Sequence, residues 1–226
     1  MKKVISFILK VIIVIASFLG VIISMNAKTD AFMGGMSALL YFTIQSNIWI
    51  GTVCLIFLII KLISIITHKS MIKKWMYVVK YVFTISITLT GLVFCFVLAP
   101  VMTKDAWNIT NILTHVVVPL AAIIDLMLDI PNFKYNNKHL LLSTLPPIYY
   151  LIFAIICFVS NVNFPGNTNY PYFFLNFTSP AGIFGFSNVA PYFMGSFYWI
   201  LVMVLIVLGF AYIYKQVCNK LLERKK

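Results

Sequence analysis

Three observations predict an all-α membrane protein, with six transmembrane helices in one bundle forming a single domain over residues 1–226. First, 62% of the residues are hydrophobic and only 10% are charged, whereas soluble domains carry about a quarter charged residues. Second, apolar runs of roughly 20 residues, enough to cross a bilayer, recur six times. Third, every Lys and Arg except Lys28 and Lys104 falls at the N-terminus, around the second and fourth connections, or in the C-terminal tail. By the positive-inside rule this alternation puts both termini in the cytoplasm.

The first helix, at about residues 4–24, follows Lys2 and Lys3, and Lys10 flanks its start. Its apolar run is too long for a signal-peptide core and lacks a small-x-small cleavage site, so it is read as a retained span. Gly34 and Gly35 mark a break before the second helix, at 38–60. Lys61, Lys69, Lys73, Lys74 and Lys80 then surround the connection to the third helix, at 76–98, which ends before Pro100. The fourth helix is at 109–130. The fifth, at 140–160, follows Lys134 and Lys138. The sixth, at 191–214, leads into Lys215, Lys220, Arg224, Lys225 and Lys226. Residues 161–190 form a long outer loop without a charged residue, rich in Phe and Tyr. It reads either as an interfacial aromatic belt or as a lid over an outward-facing cavity.

A net charge of +12 raises the question of nucleic acid. The cations sit at helix ends and in short loops, where they meet anionic lipid head groups, so membrane lipids are the expected partners and nucleic acid is not. Cys54, Cys95, Cys157 and Cys218 form no metal-type spacing and read as small packing residues. Cys95 and Cys157 are the pair near the outer face that a disulfide would need. No cofactor and no metal is expected. The absence of an internal repeat weighs against a transporter built from inverted halves.

The fourth helix holds the chemistry. Within 110–130, His115, Val118, Ala122, Asp125 and Asp129 recur at spacings of three and four, which puts three ionisable groups on one face. Such groups in a spanning helix face a bundle interior or a water-filled cavity. In the second helix Thr43, Ser46 and Asn47 make a polar patch at i, i+3 and i+4. Thr43 lies roughly 8 Å and His115 roughly 9 Å below the outer ends of their helices, at 1.5 Å per residue. A hydroxyl and an imidazole at one depth are the minimum for a base-activated nucleophile. Ser46, Asn47 and Asn111 are the candidate orienting or oxyanion groups. Asp125 lies about 15 Å deeper than His115, which excludes a Ser-His-Asp arrangement along this helix. Asp125 reads as a partner of Lys61, Lys80 or a polar group of the bundle, and Asp129 as an interfacial ion pair. His68 and His139 read as solvated, and Pro119 as a kink below His115. The plain alternatives are a Thr43 hydroxyl bonded to its own backbone and a His115 that only joins two helices.

Thr43, His115, Pro119 and Asp125, with Tyr170-Pro171-Tyr172 through Ser179-Pro180, form a pattern that resembles the androgen-induced-gene family of six-helix membrane proteins and their bacterial relatives of unassigned function. The FTIQSN wording of the second helix and the long outer loop depart from that family. Its eukaryotic members are threonine hydrolases of fatty acid esters of hydroxy fatty acids. The resemblance implies Thr43 as nucleophile and His115 as base. The expected function is an intramembrane lipid-ester hydrolase or acyl-transfer enzyme acting on a fatty-acyl ester from the outer leaflet. The alternative is a small transporter or ligand-binding protein using the face from His115 to Asp125. The Ile-, Lys- and Asn-rich composition suggests a bacterial plasma membrane, and the oligomeric state is not indicated.

Overall fold

The structure, a computed structural model, describes residues 1–28, 33–69, 71–102, 106–165 and 168–225. Lys104 and Lys226 therefore lie outside the described residues. Six helices are long and apolar enough to cross a membrane: α1 Lys2–Asn26, α2 Phe42–Thr67, α3 Lys74–Leu98, α4 Ile109–Leu128, α5 Asn137–Val159 and α6 Ser196–Glu223. The chain is thus an integral membrane protein, and no β-strand occurs among the described residues.

The boundaries depart from the expected ones for local reasons. α2 begins at Phe42 rather than near 38, because Met36–Leu40 winds as a 3-10 helix and Tyr41 is extended. α6 begins at Ser196, after Gly195, rather than at 191, and runs on to Glu223 as its lysine-bearing tail stays helical. α5 is interrupted at Ser143 and Thr144 and resumes as Leu145–Val159 with Pro146 and Pro147 in its first turn, where a missing N–H costs no helix bond.

α1 shows how the bundle holds together without water to drive helices together. Its buried face is mostly small or polar (Ser6, Lys10, Ala16, Ser17, Gly20, Ser24, with Ile13 and Val21), while Val4, Ile8, Ile15, Leu19 and Ile22 point outward. Small residues let backbones approach closely, and dispersion and hydrogen bonds then hold membrane helices together. A methyl group added to Gly20 would collide with Thr114 of α4, and one added to Gly51 of α2 would collide with Ser17 of α1. α3 is the centre of the bundle: 67% of its most apolar stretch is buried, against 17% for α6. Tyr81 donates to the Ala211 carbonyl, and Thr88 and Tyr214 share a hydrogen bond of 3.1 Å, fastening α3 to α6.

The lysine-rich end is sealed by ions. Lys10 Nζ lies 2.6 Å from Asp125 Oδ1 and 2.8 Å from Asp129 Oδ2. Lys80 Nζ lies 2.5 Å from Asp125 Oδ2, and Lys61 Nζ lies 3.3 Å from Asp129 Oδ2. Ser6 donates to Asp125 Oδ1 at 2.7 Å. The pairing of Asp125 with Lys80 agrees with the expectation. The placement of Lys10 and Lys80 corrects it: both are buried inside the bundle, not set among head groups. His139 is not simply solvated either. Its Nδ1 accepts from the Asn136 N–H and its own N–H donates to Asn136 Oδ1, a reciprocal cap at the start of α5.

The long loop divides in two. Phe164, Tyr172, Phe174 and Leu175 are buried against the bundle, whereas Ile183, Phe184, Phe186, Val189 and Phe193 are exposed. The first part is a plug and the second an exposed aromatic rim.

Candidate active site

α2 and α4 each place one reactive side chain at the long-loop end. Thr43 stands in the first turn of α2, where the main-chain N–H groups have no partner inside the helix. His115 stands in the second turn of α4, inside a π-helical turn spanning Leu113–Val117. Thr43 Oγ1 and His115 Nε2 are 3.3 Å apart, and both side chains are buried. The depth reckoning from sequence thus agrees with the contact between these two residues.

The π turn of α4 has an identifiable cause, two consequences and a counterpart in α3. Pro119 has no N–H to offer the carbonyl of His115, and Val118 N–H bonds Leu113 O instead of Thr114 O. The Thr114 carbonyl so released accepts Asn47 Nδ2 at 3.2 Å, tying α4 to α2. The bulge also brings the His115 carbonyl against Gly91 of α3, where a Cβ would lie only 2.8 Å from that oxygen. Finally, α3 answers with its own π turn, Phe94–Leu98, closed by Ala99 N–H on Phe94 O, just before Pro100. Phe94 stacks on the His115 ring at 4.0 Å between centroids. π turns of this kind gather at functional sites.

The tautomer of His115 follows from its other nitrogen. Nδ1 is 3.1 Å from the Asn111 carbonyl oxygen, which can only accept. It is 3.0 Å from Thr114 Oγ1, whose own proton goes to Thr110 O. Nδ1 therefore carries the proton, and the Nε2 lone pair faces the Thr43 hydroxyl. The ring is oriented by a main-chain carbonyl in place of a carboxylate. Asp125, engaged by Lys10, Lys80 and Ser6, takes no part.

The three candidate orienting residues act at one remove. Ser46 Oγ donates to Thr43 O at 3.0 Å and lies 2.8 Å from Thr90 Oγ1. Asn47 Nδ2 also reaches Thr43 O, at 2.8 Å. Both hold the backbone of Thr43 rather than its hydroxyl. Asn111 meets His115 through its carbonyl, while its amide donates to Ala106 O at 2.9 Å.

Sequence reasoning named Tyr172 in the aromatic loop and in the family-like pattern but did not place it beside Thr43. Thr43 N–H donates to Tyr172 Oη at 3.3 Å, and Oη stands 3.5 Å from Thr43 Oγ1. Burial pushes the phenol above its ordinary pKa, so it stays a proton donor. Tyr41 and Phe174 pack on its ring. The available signal was the Tyr170-Pro171-Tyr172 stretch in an uncharged loop, but nothing in it specified the loop's path.

Two cavities flank Tyr172 and Leu98. One, with about 750 Å³ of empty volume, is lined by Thr43, Tyr172 and apolar side chains of α3, α5 and α6. The other, about 940 Å³, opens under the loop beside Tyr41, Thr168 and Tyr170. Among the described residues no cluster of His, Cys, Asp or Glu could hold a metal, and all four cysteines are free thiols. Comparison with protein-family models, curated proteins and solved structures finds no match.

Proposed function

We propose that this protein is an intramembrane acyl-ester hydrolase or acyl-transfer enzyme with Thr43 as nucleophile and His115 as general base. One observation carries the reading: a buried hydroxyl 3.3 Å from an imidazole nitrogen whose lone pair is turned toward it. In the reaction, Thr43 Oγ attacks the ester carbonyl carbon as its proton passes to His115 Nε2. The carbonyl oxygen takes the negative charge and receives the Tyr172 O–H and the Thr43 N–H, which gives up its bond to Tyr172 Oη. Both stand at the positive end of the α2 dipole. Collapse breaks the bond to the alcohol, which leaves with the proton held by His115, and Thr43 keeps the acyl group. Water then releases a fatty acid, or an acceptor alcohol takes the acyl group. The resemblance to the androgen-induced-gene family supports the same assignment.

The substrate reaches Thr43 from within the membrane. The lysine distribution supports a site in the outer leaflet with both termini cytoplasmic, and the composition supports a bacterial plasma membrane. The transport alternative needs Asp125 to face a path, and its oxygens are engaged by Lys10, Lys80 and Ser6.

Purified protein should be labelled by a short-chain fluorophosphonate at Thr43. The Thr43→Ala and His115→Ala variants should lose labelling while keeping their helical content. Undiminished labelling of both would remove the assignment.

A further inference from the structure

The geometry points to a single unbranched acyl chain as the occupant of the apolar cavity, held between α5 and α6 with its carbonyl at Thr43. This rests on the proposed acyl-transfer chemistry and adds the arm of the substrate that the site holds and its route from the bilayer.

The cavity has one polar end. Thr43 and Tyr172 stand at that end, and the walls continue along Leu151 of α5 and Met203 and Val204 of α6. Its other polar side chains are occupied: Tyr150 donates to Leu40 O at 3.0 Å, and Thr90 is bonded to Ser46 and to Ser86 O. The hydroxyls of Thr43 and Tyr172 are bonded to His115 and to each other, and these are the groups that the proposed chemistry presents to the ligand's carbonyl. A molecule that fits must therefore be hydrocarbon along its length with one polar group at its end, since a polar atom placed deeper would lose its hydrogen bonds to water and gain none. On α6 the lining runs from Ile200 to Val204, so the cavity follows that helix for roughly 6 Å.

The gap has a structural origin and an open side. α6 packs on α3, on the Asn137–Leu142 stretch of α5 and on the short Phe173–Leu175 helix of the loop. Past the interruption at Ser143 and Thr144, the two helices carry outward-facing apolar residues, Ile148 and Ile152 on α5 and Leu201 and Leu205 on α6. These side chains face lipid, so the gap between the helices adjoins the hydrocarbon of the bilayer. A lipid tail can slide in sideways without crossing water, and the loop plug closes the site from above with Tyr172 and Phe174.

The test uses the full chain in phosphatidylcholine vesicles. A fatty acid methyl ester with a mid-chain diazirine should crosslink, on illumination, to Leu151, Met203 or their immediate neighbours. Crosslinks spread evenly over the lipid-facing side of α1 would overturn the inference. In parallel, Met203→Trp and, separately, Leu151→Trp should reduce labelling by a long-chain fluorophosphonate about tenfold while leaving a short-chain probe unaffected. Equal labelling by both probes in both variants would overturn the slot and leave the Thr43–His115 chemistry standing. Crosslinking within the slot with no labelling of the unmodified protein would sustain the acyl slot and remove the catalytic reading.

Discussion

Tyr172 depends on its surroundings more than any other residue near Thr43. Its hydroxyl meets the Thr43 N–H and hydroxyl only because the loop folds back on the bundle. Tyr172→Phe keeps the ring contacts with Tyr41 and Phe174 and removes the hydroxyl, both the proposed donor and the acceptor of the Thr43 N–H. Its expected effect is a loss of about 10²–10³ in kcat, the range for one oxyanion donor, with little change in KM and a stability loss of about 1–3 kcal/mol. Because burial raises the phenol above its ordinary pKa, Tyr172 keeps its proton where a solvated tyrosine would begin to lose it. Rate profiles of Tyr172→Phe and unmodified protein should then have the same shape on the alkaline side; an alkaline fall present only in the unmodified protein would assign that limb to Tyr172. Thr43 and His115 were legible in the sequence because a polar group in an apolar run is conspicuous and helical rise converts position into depth. Tyr172 was not, because an aromatic residue in a loop is conspicuous neither by charge nor by depth. Lys10 and Lys80 misled for a related reason: a lysine near a helix end ordinarily snorkels to the head groups, and Asp125 in the last turn of α4 with Asp129 at its end reverses that preference.

Elements carry the site through their irregularities. The six spans were legible because their apolar runs are long, but the π turns at Leu113–Val117 and Phe94–Leu98 were not. Pro119 announced a kink; which hydrogen bonds it would rearrange depends on Asn47 and Gly91 across the interface. Pro119→Ala restores an N–H and lets α4 relax toward a regular helix. Activity should fall about 10²-fold, as a displacement near 1 Å at a reacting group produces, while the melting temperature holds or rises. Gly91→Val tests the same contact from α3, since its Cβ meets the His115 carbonyl at 2.8 Å. It should lower both activity and stability, and a fully active Gly91→Val protein would show that the close approach of α3 and α4 is dispensable.

At the scale of the whole molecule, chemistry and cohesion occupy opposite ends. Three lysines and two aspartates join α1, α2, α3 and α4 at the lysine-rich end. Removing an aspartate leaves buried lysines short of a partner, which is costlier than losing a pair outright. Asp125→Asn should destabilise the protein by about 3–5 kcal/mol in detergent unfolding, yet leave Thr43 labelling intact below the new melting point. A loss of labelling in folded protein would instead tie the two ends together. The π turn of α4 lies between these ends, and its effect is local. A turn that closes on the fifth residue rather than the fourth is a helix with one residue inserted. The extra residue is taken up within a single revolution, so the helix on either side of it keeps its phase. Deleting a single residue from Leu113–Val117 would restore a regular turn and leave everything above it facing nearly as it does now relative to Asp125. The ionic end and the helix contacts would stay assembled, while the Thr114 carbonyl would return to the α4 ladder and release Asn47. Such a deletion variant would be a folded six-helix protein that had lost the bulge alone.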